Sequence, residues 1–210
     1  MTCDKEREQV GDGLPKWVVA RADGPVVAKL SGIPALEGLS PLAKPKVRPG
    51  EPIRFAVDVL AEPTGLLSKH AYIAGLGPGW SNFELTCDEG RPLGGTDLAP
   101  SPLSYLVSGV AFCLLTHIQQ YLRVHPLDID RIRLELRANY RMAQPGASRS
   151  EHEVAACEGM EACVLIDGDV SEAFVEAMMD EVNKACMALQ TVIQRVPAST
   201  RVILNGNTCA

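Results

Sequence analysis

Two long stretches with apolar residues three and four positions apart constrain this chain most. The first stretch runs from Leu106 to Tyr121 and the second from Phe174 to Val196. This spacing places the apolar side chains on one face of an α-helix, and such a face has to be covered by other parts of the protein. The sequence therefore predicts two long helices that pack inside a globular fold.

Residues that start or stop helices mark the ends of both stretches. Pro102 suits a helix entrance because the first turn has no partner for its backbone N–H groups, and Pro126 lies just beyond the expected end. Asp169 or Ser171 can cap the second helix, because a short polar side chain accepts a hydrogen bond from the first turn. We expect this helix to continue without interruption to Pro197.

Other segments alternate between apolar and polar residues, which is the period of a strand with one buried face. The clearest is 131–140, where charged and polar residues alternate with residues such as Ile132 and Leu134. Because strands and helices do not alternate strictly, their order indicates an α+β fold with antiparallel sheets. The predicted strands are 53–59, 67–76, 83–87, 131–140, 164–166 and 201–204, with a polar loop over 143–153.

The first part of the chain differs from the rest in composition. Proline at the density found there interrupts both helices and sheet ladders. We predict that residues 1–52 form a Pro/Gly-rich N-terminal arm that packs on a domain formed by residues 53–210. The prolines are Pro15, Pro25, Pro34, Pro41, Pro45 and Pro49.

The charge balance limits the partners that this chain can have. It carries 20 Lys and Arg against 26 Asp and Glu, which gives a net charge of −6. We therefore expect no nucleic-acid partner, because phosphate binding requires a basic excess. No apolar run approaches the roughly 20 residues that span a bilayer, and the acidic first residues do not resemble a secretory signal. These features predict a cytoplasmic protein without a membrane partner.

Seven cysteines are spread along the chain, without a Cys-x-x-Cys spacing. This distribution fits neither a disulfide-stapled secreted domain nor a zinc site, and we expect neither a metal nor another cofactor. Cys113 and Cys186 fall on the two apolar helix stripes. They are either inert parts of the core, or a thiol pair that cycles between dithiol and disulfide.

Part of the sequence resembles a known family. Residues 94–103 have the sequence GGTDLAPSPL and are followed by AFC at 111–113. This pattern is similar to the signature of the OsmC/Ohr family of hydroperoxide reductases, which combines a glycine-rich loop, a helix-entrance Pro and a Cys three turns later. The DGD sequence at 167–169, before the helix that carries Cys186, is similar to the second half of the family. The resemblance covers about 53–204.

This resemblance implies a fold, an assembly and an activity. The fold is an intertwined homodimer in which antiparallel sheets wrap two long central helices, with active sites at the subunit interface. The activity is thiol-dependent reduction of organic hydroperoxides, in which Cys113 becomes a sulfenic acid and Cys186 condenses with it to a disulfide. A dithiol reductant, such as a lipoyl protein, restores the pair, and neither a metal nor a flavin is required.

The sequence departs from the family pattern at three places. Leu103 stands where family peroxidases have Glu, and Met187 stands where they have Pro after the second Cys. Lys69 is the only cation near the position of the activating Arg. Because a cysteine attacks as its thiolate, Cys113 needs a cation nearby if the protein is a peroxidase.

Arg91 and His117 are further candidates for that cation, although a loop arginine commonly faces solvent and a histidine on a helix is commonly structural. Three hypotheses therefore remain open. The chain is a hydroperoxide reductase, or a non-peroxidatic relative, or a structural protein with inert cysteines. The relative would bind a small apolar ligand at the dimer interface or perform an unrelated thiol reaction.

Overall fold

The computed structural model describes residues 24–39, 49–77, 79–142, 155–205 and 207–209. Within these ranges the protein has the predicted α+β fold, with antiparallel sheets and three α-helices. The elements in chain order are β1 (Val27–Leu30), β2 (Val59–Pro63), β3 (Lys69–Ile73), β4 (Asn82–Cys87), a 3-10 helix (Arg91–Leu93), α1 (Pro102–Val124), β5 (Ile129–Arg141), β6 (Ala156–Gly168), α2 (Glu172–Ala185), α3 (Met187–Ile193), β7 (Val202–Leu204) and β8 (Asn207–Cys209).

The chain divides into two compact units. The first unit consists of Met1–Pro102 with Arg201–Ala210, and the second of Leu103–Thr200. The first unit contains a four-stranded antiparallel sheet in the order β1-β4-β3-β2, and a hairpin of β7 and β8. Strand β1 belongs to the segment predicted as an arm, and it pairs with β4 from Val27 opposite Leu85 to Leu30 opposite Asn82.

The predicted strand over 53–59 is wrong. Strand β2 begins only at Val59, and Ile53, Phe55 and Val57 are exposed. The alternation is present, but β3 ends at Ile73, which lies opposite Val59. The residues before Val59 therefore have no neighbouring strand within the described part of the sheet. Alternation favours a strand only where a partner strand reaches it.

The second unit contains a two-stranded antiparallel sheet of β5 and β6. Strand β5 confirms the clearest predicted strand, whereas β6 is much longer than the predicted 164–166 because it pairs with β5 along its whole length. One face of the pair is apolar, with Ile132 opposite Ile166 and Leu134 opposite Val164. The predicted loop over 143–153 lies outside the described residues.

Helix α1 confirms the predicted first helix at both ends. Its buried residues join those of α2 in a single core cluster, against which the apolar face of the β5–β6 sheet packs. By length and composition alone α1 is apolar enough to cross a membrane, a property that it shares with core helices of globular proteins. The cluster consists of Val110, Leu114, Ile118, Met178, Val182 and Cys186.

The second predicted helix is confirmed at its start and wrong in its continuity. Ser171 caps α2, where its side chain accepts a hydrogen bond from the Phe174 N–H at 3.3 Å. The helix is interrupted at Cys186, whose backbone (φ −71°, ψ 100°) is extended. A short second segment, α3, then ends at Ile193, before the predicted stop at Pro197. An extended residue breaks the helical hydrogen-bond ladder, although no Pro or Gly stands at this point.

Candidate functional site

The candidate site is built from two helix-borne cysteines of the second unit. Cys113 lies halfway along α1, three residues after Val110 and one before Leu114, both of which are buried. This position places its thiol at the border of the core cluster, where it packs on the buried residues and remains partly exposed. The apolar stripe of α1 therefore delivers a thiol that both the core and small solutes can contact.

Cys186 lies at the break between α2 and α3 and is fully buried. Its backbone N–H still donates to the Val182 carbonyl at 2.9 Å, and its carbonyl accepts from the Gln190 N–H at 2.9 Å. The residue thus ends one helix and begins the next. The break fixes where its side chain points, because the backbone is held on both sides.

The structure brings the two predicted site residues together. Cys186 belongs to the buried core cluster of the second unit, and Cys113 packs against that cluster. All the cysteines whose side chains are described, these two included, are free thiols. A disulfide between two such thiols requires their Cβ atoms to come within about 3.5–4.5 Å of each other, and dithiol–disulfide exchange depends on that approach.

The surroundings of Cys186 favour its neutral form. Burial raises the pKa of the Cys186 thiol, and the neighbouring Cys113 raises it further. The backbone N–H groups of Leu189 and Ala188 act in the opposite direction without making a capping hydrogen bond, and they do not outweigh burial. Cys186 therefore stays protonated at neutral pH, as a weak nucleophile.

The three candidate cations have different positions. Lys69 lies opposite Cys87 across β3 and β4, where its ammonium group is 2.9 Å from the Leu67 carbonyl and 3.5 Å from Glu89 Oε1. Burial raises the pKa of the Cys87 thiol, and the charge of Lys69 opposes that shift. Arg91 is exposed in the 3-10 helix, and His117 is partly buried on α1, one helical turn beyond Cys113.

An open groove lies beside the first two turns of α1. Its cavity volume is about 500 Å³, which is within the range of small-molecule sites. Leu103, where the family signature described above predicts Glu, is part of its wall. The groove is therefore more apolar at this point than a carboxylate would make it. The lining residues are Leu103, Ser104, Val107 and Ser108 from α1, with Leu136, Arg137 and Ala138 from β5.

Sequence analysis missed one buried residue in the glycine-rich loop. The Asp88 carboxylate accepts hydrogen bonds from the Glu89 N–H (2.8 Å), the Thr96 N–H (3.0 Å), the Thr96 hydroxyl (2.5 Å) and the Leu98 N–H (3.3 Å). Its own N–H donates to the Pro100 carbonyl at 3.4 Å. Asp88 therefore holds the loop that leads into α1. The available signal was an acidic residue at the start of a glycine-rich loop with a Thr inside it.

Comparison with known proteins gives a family. Solved structures with similar folds include an OsmC-like hydroperoxide resistance protein from Jannaschia sp. CCS1 (19% identity, TM-score 0.46, covering 72% of this chain and 96% of that chain). Another is an OsmC-like protein from Mycoplasma pneumoniae (20% identity, TM-score 0.47, covering 65% of this chain and 86% of that chain). A third is an organic hydroperoxide resistance protein OsmC from Legionella pneumophila (18% identity, TM-score 0.47, covering 66% of this chain and 89% of that chain).

No curated protein matches the chain. The sequence model of the OsmC-like protein family matches residues 95–201, which include α1, the β5–β6 sheet and both helices on either side of Cys186. This match covers more than half of the chain, and it includes both cysteines of the thiol pair. The chain is a divergent member of the OsmC-like family.

Proposed function

We propose that this protein reduces organic hydroperoxides through the Cys113–Cys186 thiol pair and so serves in defence against peroxide stress. The observation that carries the proposal is that Cys113 packs against the core cluster to which Cys186 belongs. Family membership supports it, since relatives of this fold include proteins named for hydroperoxide resistance. A cycle that runs on free thiols fits a reducing compartment, and we place it in the cytoplasm.

The proposed chemistry uses two sulfur-centred steps. The Cys113 thiolate attacks the distal peroxide oxygen, the O–O bond breaks, and the alcohol leaves with one proton while Cys113 becomes a sulfenic acid. The Cys186 sulfur then attacks the Cys113 sulfur, an S–S bond forms, the S–O bond breaks, and water leaves with the Cys186 proton. A dithiol donor supplies the two electrons and two protons that restore both thiols.

The difference in exposure supports this division of roles. Cys113 is partly exposed, so a peroxide can approach it, whereas Cys186 is fully buried. Burial also raises the pKa of Cys186 and keeps it as a thiol until Cys113 has reacted. Cys186 is then suited to resolve the sulfenic acid, because it belongs to the core cluster on which Cys113 packs.

We place the active protein in a homodimer. Helix α1 also exposes apolar side chains: Leu103 and Leu106, on the core stripe, are each 46% exposed, and Phe112, two residues from both Val110 and Leu114 and so on the opposite face, is 68% exposed. A helix that is apolar on opposite faces is normally buried on both of them. A second copy that covers this face would bury the helix and close off the surroundings of Cys113, which favours peroxide chemistry over reaction with water.

The test is a stopped-flow assay of cumene hydroperoxide reduction with a dithiol donor. We expect rapid turnover in the wild type, no turnover above free thiol in Cys113→Ser, and a stable sulfenic acid with little turnover in Cys186→Ser. Cys163→Ser is the matched control, because Cys163 is exposed on β6 and should leave the rate unchanged. If the wild type is a well-folded dimer and reduces the peroxide no faster than free thiol does, the proposal is wrong.

The second candidate function is the binding of a small apolar ligand without peroxide chemistry. The groove beside α1 favours it, because Leu103, Val107 and Leu136 form an apolar wall where the family has an acidic residue. Titration of an environment-sensitive apolar dye, with Val107→Gln as the variant, distinguishes the two functions. Saturable binding that this variant weakens, together with an inactive wild type in the peroxide assay, selects ligand binding. If the protein shows neither activity, the two cysteines are inert core residues.

A further inference from the structure

The helix break at Cys186 lacks a local cause in the sequence. The residues around it are Lys184, Ala185, Met187 and Ala188, all of which favour helix. A continuous helix from α2 into α3 would satisfy every backbone group by itself. Something outside the local backbone must therefore favour the broken form.

The side chain of Gln190 bridges the break. In a continuous helix the Asn183 carbonyl would accept from the backbone N–H of Met187, four residues on. Here it accepts instead from the side-chain amide of Gln190, with Nε2 at 2.9 Å from the oxygen. The Gln190 side chain thus replaces a backbone hydrogen bond that a continuous helix would make.

Gln190 is itself held from the other end of α3. The side-chain amide of Gln194, the residue that caps α3, donates to Gln190 Oε1. The backbone N–H of Gln190 also donates to the Cys186 carbonyl at 2.9 Å. One residue therefore connects the last turn of α2, the residue at the break and the end of α3.

This arrangement fixes the direction of a sulfur atom. Cys186 is fully buried in the core cluster, and Cys113 packs against that cluster. Closing the break would change ψ of Cys186 from 100° to a helical value of about −40° and rotate the backbone on which the side chain is mounted. The position of the Cys186 sulfur relative to Cys113 therefore depends on the break, where Gln190 gives the Asn183 carbonyl another donor.

We propose that Gln190 is a positioning residue: by donating to the Asn183 carbonyl it keeps the helix broken at Cys186 and so holds the Cys186 sulfur against Cys113. The inference rests on the proposed function for its use in the cell, since it assigns a residue to the resolving step. Whether Gln190 brings the two thiols together can be measured without any peroxide.

The experiment equilibrates the full-length protein with mixtures of reduced and oxidised glutathione. Each disulfide formed within the protein converts one oxidised glutathione to two reduced molecules, so the ratio at half oxidation gives the effective concentration of one thiol at the other. We expect Gln190→Met to lower this value about fivefold, the fold-change that corresponds to one lost uncharged hydrogen bond. Gln190→Glu has the same shape but no donor when ionised, and should match Gln190→Met.

Two further variants separate positioning from general structure. Gln190→Lys keeps a donor of similar reach and should recover most of the wild-type value, whereas Gln120→Met removes an exposed amide from α1 and should change nothing. The inference is overturned if Gln190→Met keeps the wild-type value, if Gln190→Lys fails to recover it, or if the wild-type pair forms no disulfide. If Gln190→Met does not fold, the comparison of Gln190→Glu with Gln190→Lys decides the question in the same way.

The peroxide reaction provides the link to the proposed function. With cumene hydroperoxide, Gln190→Met should form the Cys113 sulfenic acid at the wild-type rate and resolve it about fivefold more slowly, the same loss as in the glutathione equilibrium. A wild-type protein that does not react with peroxide would contradict the proposed function but not the positioning role of Gln190. The glutathione equilibrium would still decide whether Gln190 positions the pair.

Discussion

The two units of this protein bury different kinds of side chain. Among the described residues, the fully buried side chains of the second unit are apolar, apart from the Cys186 thiol, and come from α1, α2 and the break after α2. The buried residues of the first unit are His70 and Asp88, one polar and one charged. The second unit is therefore held by packing, whereas the interior of the first is ordered by directed polar contacts.

His70 illustrates the polar interior of the first unit. It is 4% exposed in β3, with Nε2 at 3.1 Å from Glu62 Oε2 on β2 and Nδ1 at 3.4 Å from Glu84 Oε1 on β4. Its ring also contacts that of Tyr72 in a tilted arrangement, with centroids 4.7 Å apart and an angle of 58° between the rings. Carboxylates on β2 and β4 thus both lie close to one side chain of β3, the strand between them.

The largest effect should come from the apolar core of the second unit. Leu114 is 1% exposed, and Leu114→Ala would leave a cavity among tightly packed neighbours. We expect the free energy of unfolding to fall by about 3 kcal/mol, measured by urea denaturation. Leu204→Ala, at a leucine of the first unit that is 61% exposed, is the control and should have little effect. If both variants lose the same free energy of unfolding, the conclusion that apolar packing holds the second unit is wrong.

A smaller effect is expected from the buried charge of the first unit. Asp88→Asn keeps the size of the side chain but turns an amide donor toward N–H groups that need an acceptor. We expect a loss of about 2 kcal/mol in the free energy of unfolding at pH 7. Asp97→Asn is the control in the same loop, because Asp97 is exposed and its positive φ of 62° suits Asn equally well.

The effect of Asp88 should depend on pH in a defined direction. Burial alone would raise the pKa of this carboxyl, but hydrogen bonds from Thr96, Leu98 and Glu89 outweigh burial and hold the pKa below its ordinary value. A depressed pKa in the folded state stabilises the protein above the unfolded pKa of about 3.9, and this stabilisation disappears as the pH falls through the folded value. The difference between wild type and Asp88→Asn should therefore shrink in acid, and a difference that grows would refute this explanation.

The exposed face of α1 allows a test of association that leaves the core untouched. Phe112→Ser should weaken the homodimer by about 2 kcal/mol in association free energy, because a large apolar side chain leaves the interface. Analytical ultracentrifugation over a dilution series measures the change. Glu176→Gln, at an exposed position of α2, should leave association as it is. Unchanged association of Phe112→Ser would place the contact between copies elsewhere.

The smallest effect is expected at Gly109 on the same helix. A Cβ atom added there meets nothing within 4 Å, so the close packing that a glycine inside a helix can indicate is not found within the described chain. Gly109→Ala should raise the free energy of unfolding of the isolated chain by at most about 1 kcal/mol, because Ala favours a helix more than Gly does. If α1 meets a second copy at this point, the same change weakens the dimer, and thermal unfolding at two protein concentrations separates the two effects.

The helices could be predicted because their signals are local. The stripe from Leu106 to Tyr121 and the prolines on both sides of it determine α1, and Ser171 marks the start of α2. The lengths of the strands could not be predicted as well. Strand β6 extends back to Ala156 only because β5 supplies partners that far, and a partner strand is not visible in the pattern of one segment.

The site could be predicted only in part for the same reason. Periodicity places Cys113 and Cys186 on inward faces, but it does not predict the helix break at Cys186, where neither Pro nor Gly stands. The hydrogen bonds of Asp88 reach eight and ten residues along the chain, to Thr96 and Leu98. Interactions at such separations are a property of the folded loop, and propensities of single residues do not contain them.

The long strand β5 has a consequence for how the protein folds in the cell. Within the described residues it pairs with β6 along one edge only, while Leu136, Arg137 and Ala138 on it line an open groove. Unpaired N–H and C=O groups along a strand of 13 residues are a template on which any other extended segment can add. We expect newly made chains to divide between correct assembly and precipitation, and recovery after refolding to depend on how fast that edge is covered.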